Sequence, residues 1–331
     1  MIPHSRWKSV LKRFPRLRVV VVGDVMLDQY LIGKVSRISP EAPVPVVDVQ
    51  NEKFFPGGAS NVARNLRSLG AKVCVLGVVG SDAVGRTLVE TLEEYKIDTG
   101  GLLRDSSRPT TLKTRIMAQH QQMVRFDRES REPLSSVLLR KALQAAESAI
   151  ARADAVIFED YGKGFINQSF LDECVRIAHR HDVCTLADPN VHHRLNYRDI
   201  TGITPNRNEA FWMANEIVTE PEADPLKDKP LLEVGNKLLH ETRIGNVLIT
   251  LGEHGMCLFR KGEKPHHIPT AAQEVFDVSG AGDTAISVFT LGLCSGLDSA
   301  SAAYLSNQAS GIVVGKAGTA TVTPAELLER L

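Results

Sequence analysis

The chain has 331 residues, and its 39 Lys and Arg balance 39 Asp and Glu, so the formal net charge is zero. Hydrophobic residues make up 43% and charged residues 24%, which excludes a disordered chain, and without a basic surplus no nucleic-acid partner is expected. No apolar run approaches the roughly 20 residues that span a bilayer, so no membrane partner is expected either. The length suits one large domain or two ordinary ones. The five cysteines are odd in number and lack CxxC spacing, which fits reduced thiols in a cytoplasmic protein. The histidine pairs at 192–193 and 266–267 have no ligand-spaced partners, which argues against structural zinc.

Residues 1–18 hold six Lys and Arg and no acid. Trp7, Val10, Leu11 and Phe14 fall at helical spacing and predict a short amphipathic helix docked on the core, with a transit segment or membrane anchor as the alternative. Residues 18–23 read as a buried strand. Helix 60–69, strand 72–79 and helix 82–95 follow. Helix 134–150 precedes strand 155–158, and helix 168–181 precedes strand 183–187. Helices 205–215 and 231–242 lead to strand 246–250, and helices 284–295 and 298–315 close the chain. Short apolar strands between helices predict a doubly wound, mostly parallel α/β sheet with helices on both faces. Residues 30–55 and 109–127 break this rhythm. Their alternating, polar-rich runs exclude buried parallel strands and predict a small β-sheet lid, with an ordinary surface β-ribbon as the alternative. The expectation is a single domain over 1–331, with a core at 15–29, 56–108 and 128–331 and lid segments at 30–55 and 109–127.

Four segments carry candidate chemistry. In Asp277-Val-Ser-Gly-Ala-Gly-Asp283, small residues open a helix whose N–H groups can converge on an anion. A carboxylate there, Asp283, suits proton acceptance from a hydroxyl; a plain N-cap is the alternative. The same segment matches a dinucleotide fingerprint (Gly280, Gly282, Ala285), but its position near the C-terminus, followed by helices, opposes that reading. The Gly57-Gly58 pair lets backbone approach a ligand, with Asn61 on the next helical turn. Asp24 and Asp28 follow the first strand, where ligands of open α/β sheets bind. Asn206 and Glu209 share a helix face and suit a water-mediated Mg²⁺ site.

Taken together, these segments resemble the ribokinase/PfkB-like carbohydrate kinase family. GDVMLDQY at 23–30, SRISPEAPVPVV at 36–47, EDYGKG at 159–164 and GIVVGKAGTATVTP at 311–324 resemble its D-glycero-β-D-manno-heptose-7-phosphate kinase branch. The resemblance implies an ATP- and Mg²⁺-dependent kinase phosphorylating the anomeric hydroxyl of a sugar phosphate. It also implies a kinase without the fused nucleotidyltransferase of many relatives. Another sugar, a nucleoside or a sugar acid is the alternative substrate, and a non-catalytic sugar-binding protein the alternative class.

Carried over by residue, the resemblance implies Asp283 as the base and the N–H groups of Gly280, Ala281 and Gly282 as an anion hole. It implies Asp24, Asp28, Gly57, Gly58 and Asn61 on the sugar, with Asp160 and Lys163 nearby. Thr250, Gly252, Gly255 and Asn307 would join Asn206 around ATP. Asn206 and Glu209 would hold the magnesium network, and Asp277 with Ser279 a monovalent cation such as K⁺. Lys34, Arg37, Lys113, Arg115, Arg125 and Arg128 offer charge to a substrate phosphate. Lys113 and Arg115, on one face of an alternating strand, and Lys163 are preferred. Asn190 stands where the branch has Lys, and Arg207 is a candidate to restore that charge. The lid strands suit a homodimer.

Overall fold

The computed structural model describes residues 2–119, 121–191, 193–272 and 274–331; His192, one half of the first histidine pair, lies outside them. Helix α1 (His4–Leu11) buries Trp7, Val10 and Leu11, and Trp7 stacks on Tyr304 with ring centroids 6.0 Å apart. The amphipathic opening segment therefore docks on the core. Strand β1 (Arg18–Gly23) is followed by β2 (Val25–Ile38), β3 (Pro45–Gly58), α2 (Ala59–Ser68), β4 (Lys72–Gly80), α3 (Ala83–Glu94) and β5 (Asp98–Asp105). After β6 (Thr111–Ala118) and β7 (Gln121–Arg128), α4 (Ser136–Ile150) leads to β8 (Ala155–Glu159), α5 (Gln168–Arg180), β9 (Cys184–Asp188) and β10 (Gly202–Ile203). The last part runs α6 (Arg207–Met213), α7 (Lys229–Thr242), β11 (Asn246–Thr250), β12 (Met256–Arg260), β13 (His266–Ile268), α8 (Ala281–Cys294), α9 (Ser299–Val313) and α10 (Pro324–Glu329).

Nine strands form the main sheet in the order β13-β12-β11-β10-β9-β8-β1-β4-β5. It is parallel from β11 to β5, and β12 and β13 add an antiparallel edge. The apolar run of β1 explains the two-sided burial. Val19 and Val21 join one core with α1, α2, α8 and α9, whereas Val20 and Val22 join the other with α4, α5 and α7, as the two-residue period of a strand requires. The doubly wound, mostly parallel α/β architecture is thus the one its alternating pattern indicated. Among the described residues no helix is long and apolar enough to cross a membrane, and all five cysteines are free thiols.

The second sheet has the order β3-β2-β6-β7. Its strands reach further than the sequence pattern suggested, because β2 begins at Val25 and β3 runs to Gly58. The Val25–Asp28 end of β2 and the last three residues of β3 are buried against the core, which masks their lid character in the sequence. Within this sheet β2 and β6 pair in parallel, so a polar, half-buried strand does take parallel pairing here. Strands β5, β10, β12 and β13 and helix α10 are additions to the expected elements.

Candidate active site

Strand order reverses at β1: β4 and β5 lie to one side, and β8, β9, β10 and β11 to the other. Ligand crevices of open α/β sheets open at such points, beyond the carboxyl ends of the strands. Here the register aligns Gly23 with Glu159 and Glu159 with Asp188, so three strand ends terminate together. A β-carbon at Gly23 would lie 2.0 Å from the Glu159 carbonyl oxygen, hence glycine at that position. Helix α8 starts above these ends and brings Asp283 to them. Carboxylate oxygens of Glu159, Asp188 and Asp283 lie within 4.8 Å of one another.

Helix α8 begins after Gly280, whose φ of 79° is left-handed and whose β-carbon would sit 2.9 Å from the Asn61 amide nitrogen; both facts demand glycine. The Ala281 N–H donates to the Val278 carbonyl at 3.2 Å, so it is not free for an anion as expected. The N–H groups of Gly282 and Asp283 find no backbone acceptor among the described residues, leaving the helix N-terminus open to negative charge. Asp283 is buried. Its Oδ2 accepts a 2.5 Å hydrogen bond from Asn61 Nδ2, and its Oδ1 accepts one from the Tyr161 hydroxyl at 3.3 Å. Asn61 is held in turn: its carbonyl accepts from Asn65, whose Oδ1 accepts from Thr284 on α8. Burial raises the Asp283 pKa above the ordinary carboxylate value, and the bonds from Asn61 and Tyr161 only partly offset this. A helix N-terminus alone would make it a weak base; the buried setting makes it a stronger one.

A cleft of about 270 Å³ opens beside Asp283. Its lining includes Asp28, Gly57, Gly58, Asn61, Lys113, Arg115, Asn206, Glu209, Thr250, Gly280 and Gly282, joined by Met26, Tyr161, Asp188, Thr204, Ser279 and Thr319. Strand β6 pairs with β2 so that Lys113 faces Asp28 and Arg115 faces Tyr30. Arg115 Nη1 lies 2.5 Å from Asp28 Oδ1, and its guanidinium sits 5.2 Å from the Tyr30 ring centroid. Lys113 Nζ lies 5.3 Å from the Tyr161 ring centroid and has no carboxylate at ion-pair distance among the described residues. Burial lowers its pKa, and Asp28 opposes that shift. Asn206 and Glu209 form a capping box at the start of α6: Asn206 N–H donates to Glu209 Oε2 at 2.7 Å, and Glu209 N–H to Asn206 Oδ1 at 3.0 Å.

A second, mostly apolar cavity of about 480 Å³ shares Thr250 and Gly282 with the first. Gly252, Gly255 and Asn307 line it, with Met256, Val275, Val278 and Val314. Gly255 has φ of 81°, and a β-carbon there would lie 2.1 Å from the Ile268 carbonyl oxygen. Asn307 Nδ2 donates to the Pro269 carbonyl at 2.8 Å. Asp277 Oδ1 accepts from Ser279 N–H at 2.9 Å in an exposed turn beside this cavity.

Several expected site residues stand elsewhere. Asp24 is buried outside the cleft lining, and its carboxylate accepts the N–H groups of Tyr161, Lys163 and Phe165 at 2.9, 3.0 and 3.3 Å; it braces the loop after β8. Asp160 turns to the opposite face of the sheet, where His193 Nδ1 lies 2.8 Å from its Oδ2 and the Tyr197 hydroxyl donates at 3.2 Å. Lys163 Nζ pairs with Glu129 Oε2 at 2.7 Å. Arg207 pairs with Asp228 at 2.8 Å and stacks on Phe211, so it brings no charge to the cleft. Sequence reading missed Glu159, Tyr161, Asp188 and Thr204. The signal was available for one of them: alternation along β8 turns Glu159 to the face of Ala155 and Ile157, which pack with α8.

Magnesium would find oxygen donors here. Glu159 is fully buried, and neither carboxylate oxygen has a hydrogen-bond partner among the described residues. Such an orphaned anionic donor beside Asp188 fits a hard divalent cation.

The profile described as "pfkB family carbohydrate kinase" matches residues 16–326. The bifunctional protein HldE of Desulfatibacillum aliphaticivorans is 44% identical over 319 residues, covering 96% of this chain and 64% of its own length. The bifunctional protein HldE of Haemophilus influenzae strain KW20 is 42% identical over 314 residues, covering 95% and 63%. The chain thus spans less than two thirds of these relatives. Among solved structures, Arabidopsis thaliana ribokinase complexed with ribose and ATP aligns with a TM-score of 0.71 at 18% identity, covering 95% of this chain and 98% of its own. Escherichia coli phosphofructokinase-2 in complex with potassium gives 0.76 at 17%, covering 95% and 97%.

Proposed function

The chain belongs to the pfkB family of carbohydrate kinases, and from that premise we propose that its substrate is D-glycero-D-manno-heptose 7-phosphate, phosphorylated on the anomeric hydroxyl to the 1,7-bisphosphate. Membership makes it an ATP-dependent phosphotransferase acting on an alcohol group. The observation that carries the finer reading is the pairing, in one cleft, of a buried carboxylate on an open helix N-terminus with a lid lysine that has no counter-ion among the described residues. The first suits a hydroxyl acceptor and a transferring phosphoryl group. The second suits a substrate that already carries a phosphate.

In this reading Asp283 takes the proton of the anomeric hydroxyl, which is more acidic than an ordinary alcohol, while its hydrogen bond from Asn61 fixes its direction. The N–H groups of Gly282 and Asp283, with the Gly280 turn, steady charge on the γ-phosphoryl group. Asp28, Gly57, Gly58 and Asn61 face the sugar. The purine ring suits the apolar cavity of Gly252, Gly255 and Asn307, and the phosphate chain would cross at Thr250 and Gly282, the two residues that both cavities share. Magnesium, when bound, screens phosphate oxygens; Asn206 and Glu209 would hold it through water. Asp277 and Ser279 are read as the monovalent-cation turn. The reaction belongs in the cytoplasm, where the free thiols stay reduced. Apolar side chains exposed on the small sheet, among them Val49, Phe54, Val124 and Phe126, suit a homodimer through the lid, which sedimentation of the purified chain would test.

The test is a substrate panel with ADP release as the readout. Heptose 7-phosphate should give the highest kcat/KM, well above unphosphorylated heptose and other sugar phosphates. A higher value for another sugar, a nucleoside or a sugar acid would overturn the assignment.

A further inference from the structure

The end of the sheet away from the cleft holds two thiols that the proposed chemistry does not use. Cys184 opens β9 and Cys294 closes α8, 110 positions apart in the chain. Strand alternation puts Cys184, Leu186 and Asp188 on one face of β9, and Cys184 and Leu186 pack in the same core as α8. The two elements therefore meet at both ends, Asp188 with Asp283 at the cleft and Cys184 with Cys294 far from it. The Asp154 carbonyl marks the thiol end. It accepts the Cys184 N–H at 3.1 Å, and Cys294 Sγ lies 3.7 Å from the same oxygen. The two sulfurs are also within hydrogen-bonding reach of each other, with the Cys294 thiol donating to Cys184. Both residues are half-buried, so a small reagent can reach them, whereas Cys174 and Cys257 are buried. Burial pushes the Cys74 and Cys257 thiols up to about 12 and Cys174 higher still, which keeps those three protonated and inert.

We propose that Cys184 and Cys294 form a thiol–disulfide exchange site, at which a low-molecular-weight disulfide oxidises the pair to an intrachain bond that staples α8 to β9. Cys184 is the attacking group. Hydrogen bonds from the Cys294 thiol and the Thr201 hydroxyl to its sulfur hold its pKa below the ordinary thiol value, against the effect of burial. Its thiolate attacks one sulfur of the reagent, a mixed disulfide forms, and one small thiolate leaves. Cys294 is the resolving group. Its hydrogen bond to Cys184 and its burial raise its pKa, and the first of these ends once Cys184 is in the mixed disulfide. Cys294 then gives up its proton and attacks the Cys184 sulfur, expelling the second small thiolate. Two protein thiols are oxidised, one disulfide is reduced to two small thiols, and these take up the two protons. The new bond closes a long loop, which removes much of the freedom of the unfolded chain. It also ties down the far end of the helix whose start carries Asp283. The exchange chemistry does not depend on which substrate the cleft takes.

Glutathione disulfide is the probe, added to the full reduced chain. Intact mass spectrometry should show the loss of two hydrogens with no glutathione retained. A non-reducing peptide digest should place the link between Cys184 and Cys294, with the other three thiols still titratable. Cys294→Ser should stop at a stable glutathione adduct on Cys184, and Cys184→Ser should slow adduct formation by at least about tenfold. The linked parent should melt at least about 5 °C above the reduced form. Dithiothreitol should reverse that rise, and both serine variants should lack it. A lasting adduct on the parent, or a link between other cysteines, overturns the proposal. So does a folded chain that stays reduced at a concentration of probe that oxidises the urea-unfolded chain, or a linked chain whose melting temperature is unchanged. The parent's own digest decides the pairing even where a variant fails to fold.

Discussion

Lys113 gives the sharpest test of the substrate reading. Its ammonium lies in the cleft over the Tyr161 ring, has no ion-pair partner among the described residues, and has its pKa lowered by burial. It is a desolvated charge without a counter-ion among the described residues, a state that an anionic substrate would relieve. Lys113→Met keeps most of the apolar stem and deletes the charge. One charge-assisted hydrogen bond is worth about 1.5–3 kcal/mol, so KM for a sugar phosphate should rise roughly 10- to 100-fold. The free protein loses no ion pair, so its melting temperature should hold or rise. Arg115 differs, because its guanidinium is already paired with Asp28. Arg115→Met should release Asp28 and weaken binding of the sugar whether or not that sugar is phosphorylated. The assay is initial-rate ADP release with sugar phosphate and ATP varied in turn, repeated with the unphosphorylated sugar. Equal changes in KM for ATP and sugar phosphate, or an equal loss for the unphosphorylated sugar, would refute a substrate-phosphate role for Lys113.

Asp283→Asn should keep the fold, since an amide can still face Asn61 and Tyr161, and should lower kcat by about 10²–10⁴-fold, the usual scale of general-base catalysis; a folded variant with near-parental turnover ends that assignment. Asp24→Ala removes the acceptor of three backbone N–H groups, so urea unfolding should show a loss of about 2–3 kcal/mol or more. In Gly57→Ala the new β-carbon would start 2.4 Å from Asp28 Oδ2; KM for the sugar should rise while that for ATP stays put, and the reverse pattern would be inconsistent with Gly57 lining the sugar side. Burial raises the carboxyl pKa values of Asp24, Glu159, Asp188, Glu209 and Asp283, and the hydrogen bond to Asp160 raises that of His193. Each holds its proton more tightly folded than unfolded, so its stabilising contribution is full below the unfolded pKa and is lost as pH rises through the folded one. Melting temperature without metal should therefore climb on going from about pH 8 to about pH 5; a flat or falling trend would contradict the burial argument. Carboxyls held low, such as Asp127 by Arg125, lose stability only at more acid pH.

The parallel core was legible because the β-branched runs of β1, β8 and β11 sit between amphipathic helices. Most of the cleft was legible too, because Gly57, Gly58, Asn61, Asn206 and Gly280 to Asp283 carry their constraint locally, as close backbone approach, a capping box or a left-handed turn. What was not legible depends on strand order. Nothing in the spacing of Glu159 and Asp188, 29 positions apart, says that β8 and β9 are neighbours in register. Asp24 and Asp160 look like ligands in sequence because they follow strands. The loop after β8 consumes Asp24, and Asp160, one residue past β8, is taken by His193 and Tyr197. The lid strands were read short for a related reason, since the buried ends of β2 and β3 follow the core's pattern and only their outer parts follow the lid's.

The same geometry resolves a conflict between charge and ligand. A cleft read as taking ATP and a sugar phosphate is lined by Asp28, Asp188, Glu209 and Asp283, with Glu159 beneath. The chain's zero net charge gives no general attraction to anions. Of the two basic side chains in the lining, Arg115 is largely neutralised by Asp28. Lys113 and the open N–H groups of α8 remain on the protein's side, and they face four further carboxyl groups, those of Glu159, Asp188, Glu209 and Asp283. Two polyanions cannot approach that arrangement until some of its charge is cancelled from within. Protonation could cancel it, since burial raises those carboxyl pKa values, but a protonated Asp283 would no longer accept a hydroxyl proton. Magnesium arriving with the nucleotide would cancel charge below α8 and leave Asp283 ionised.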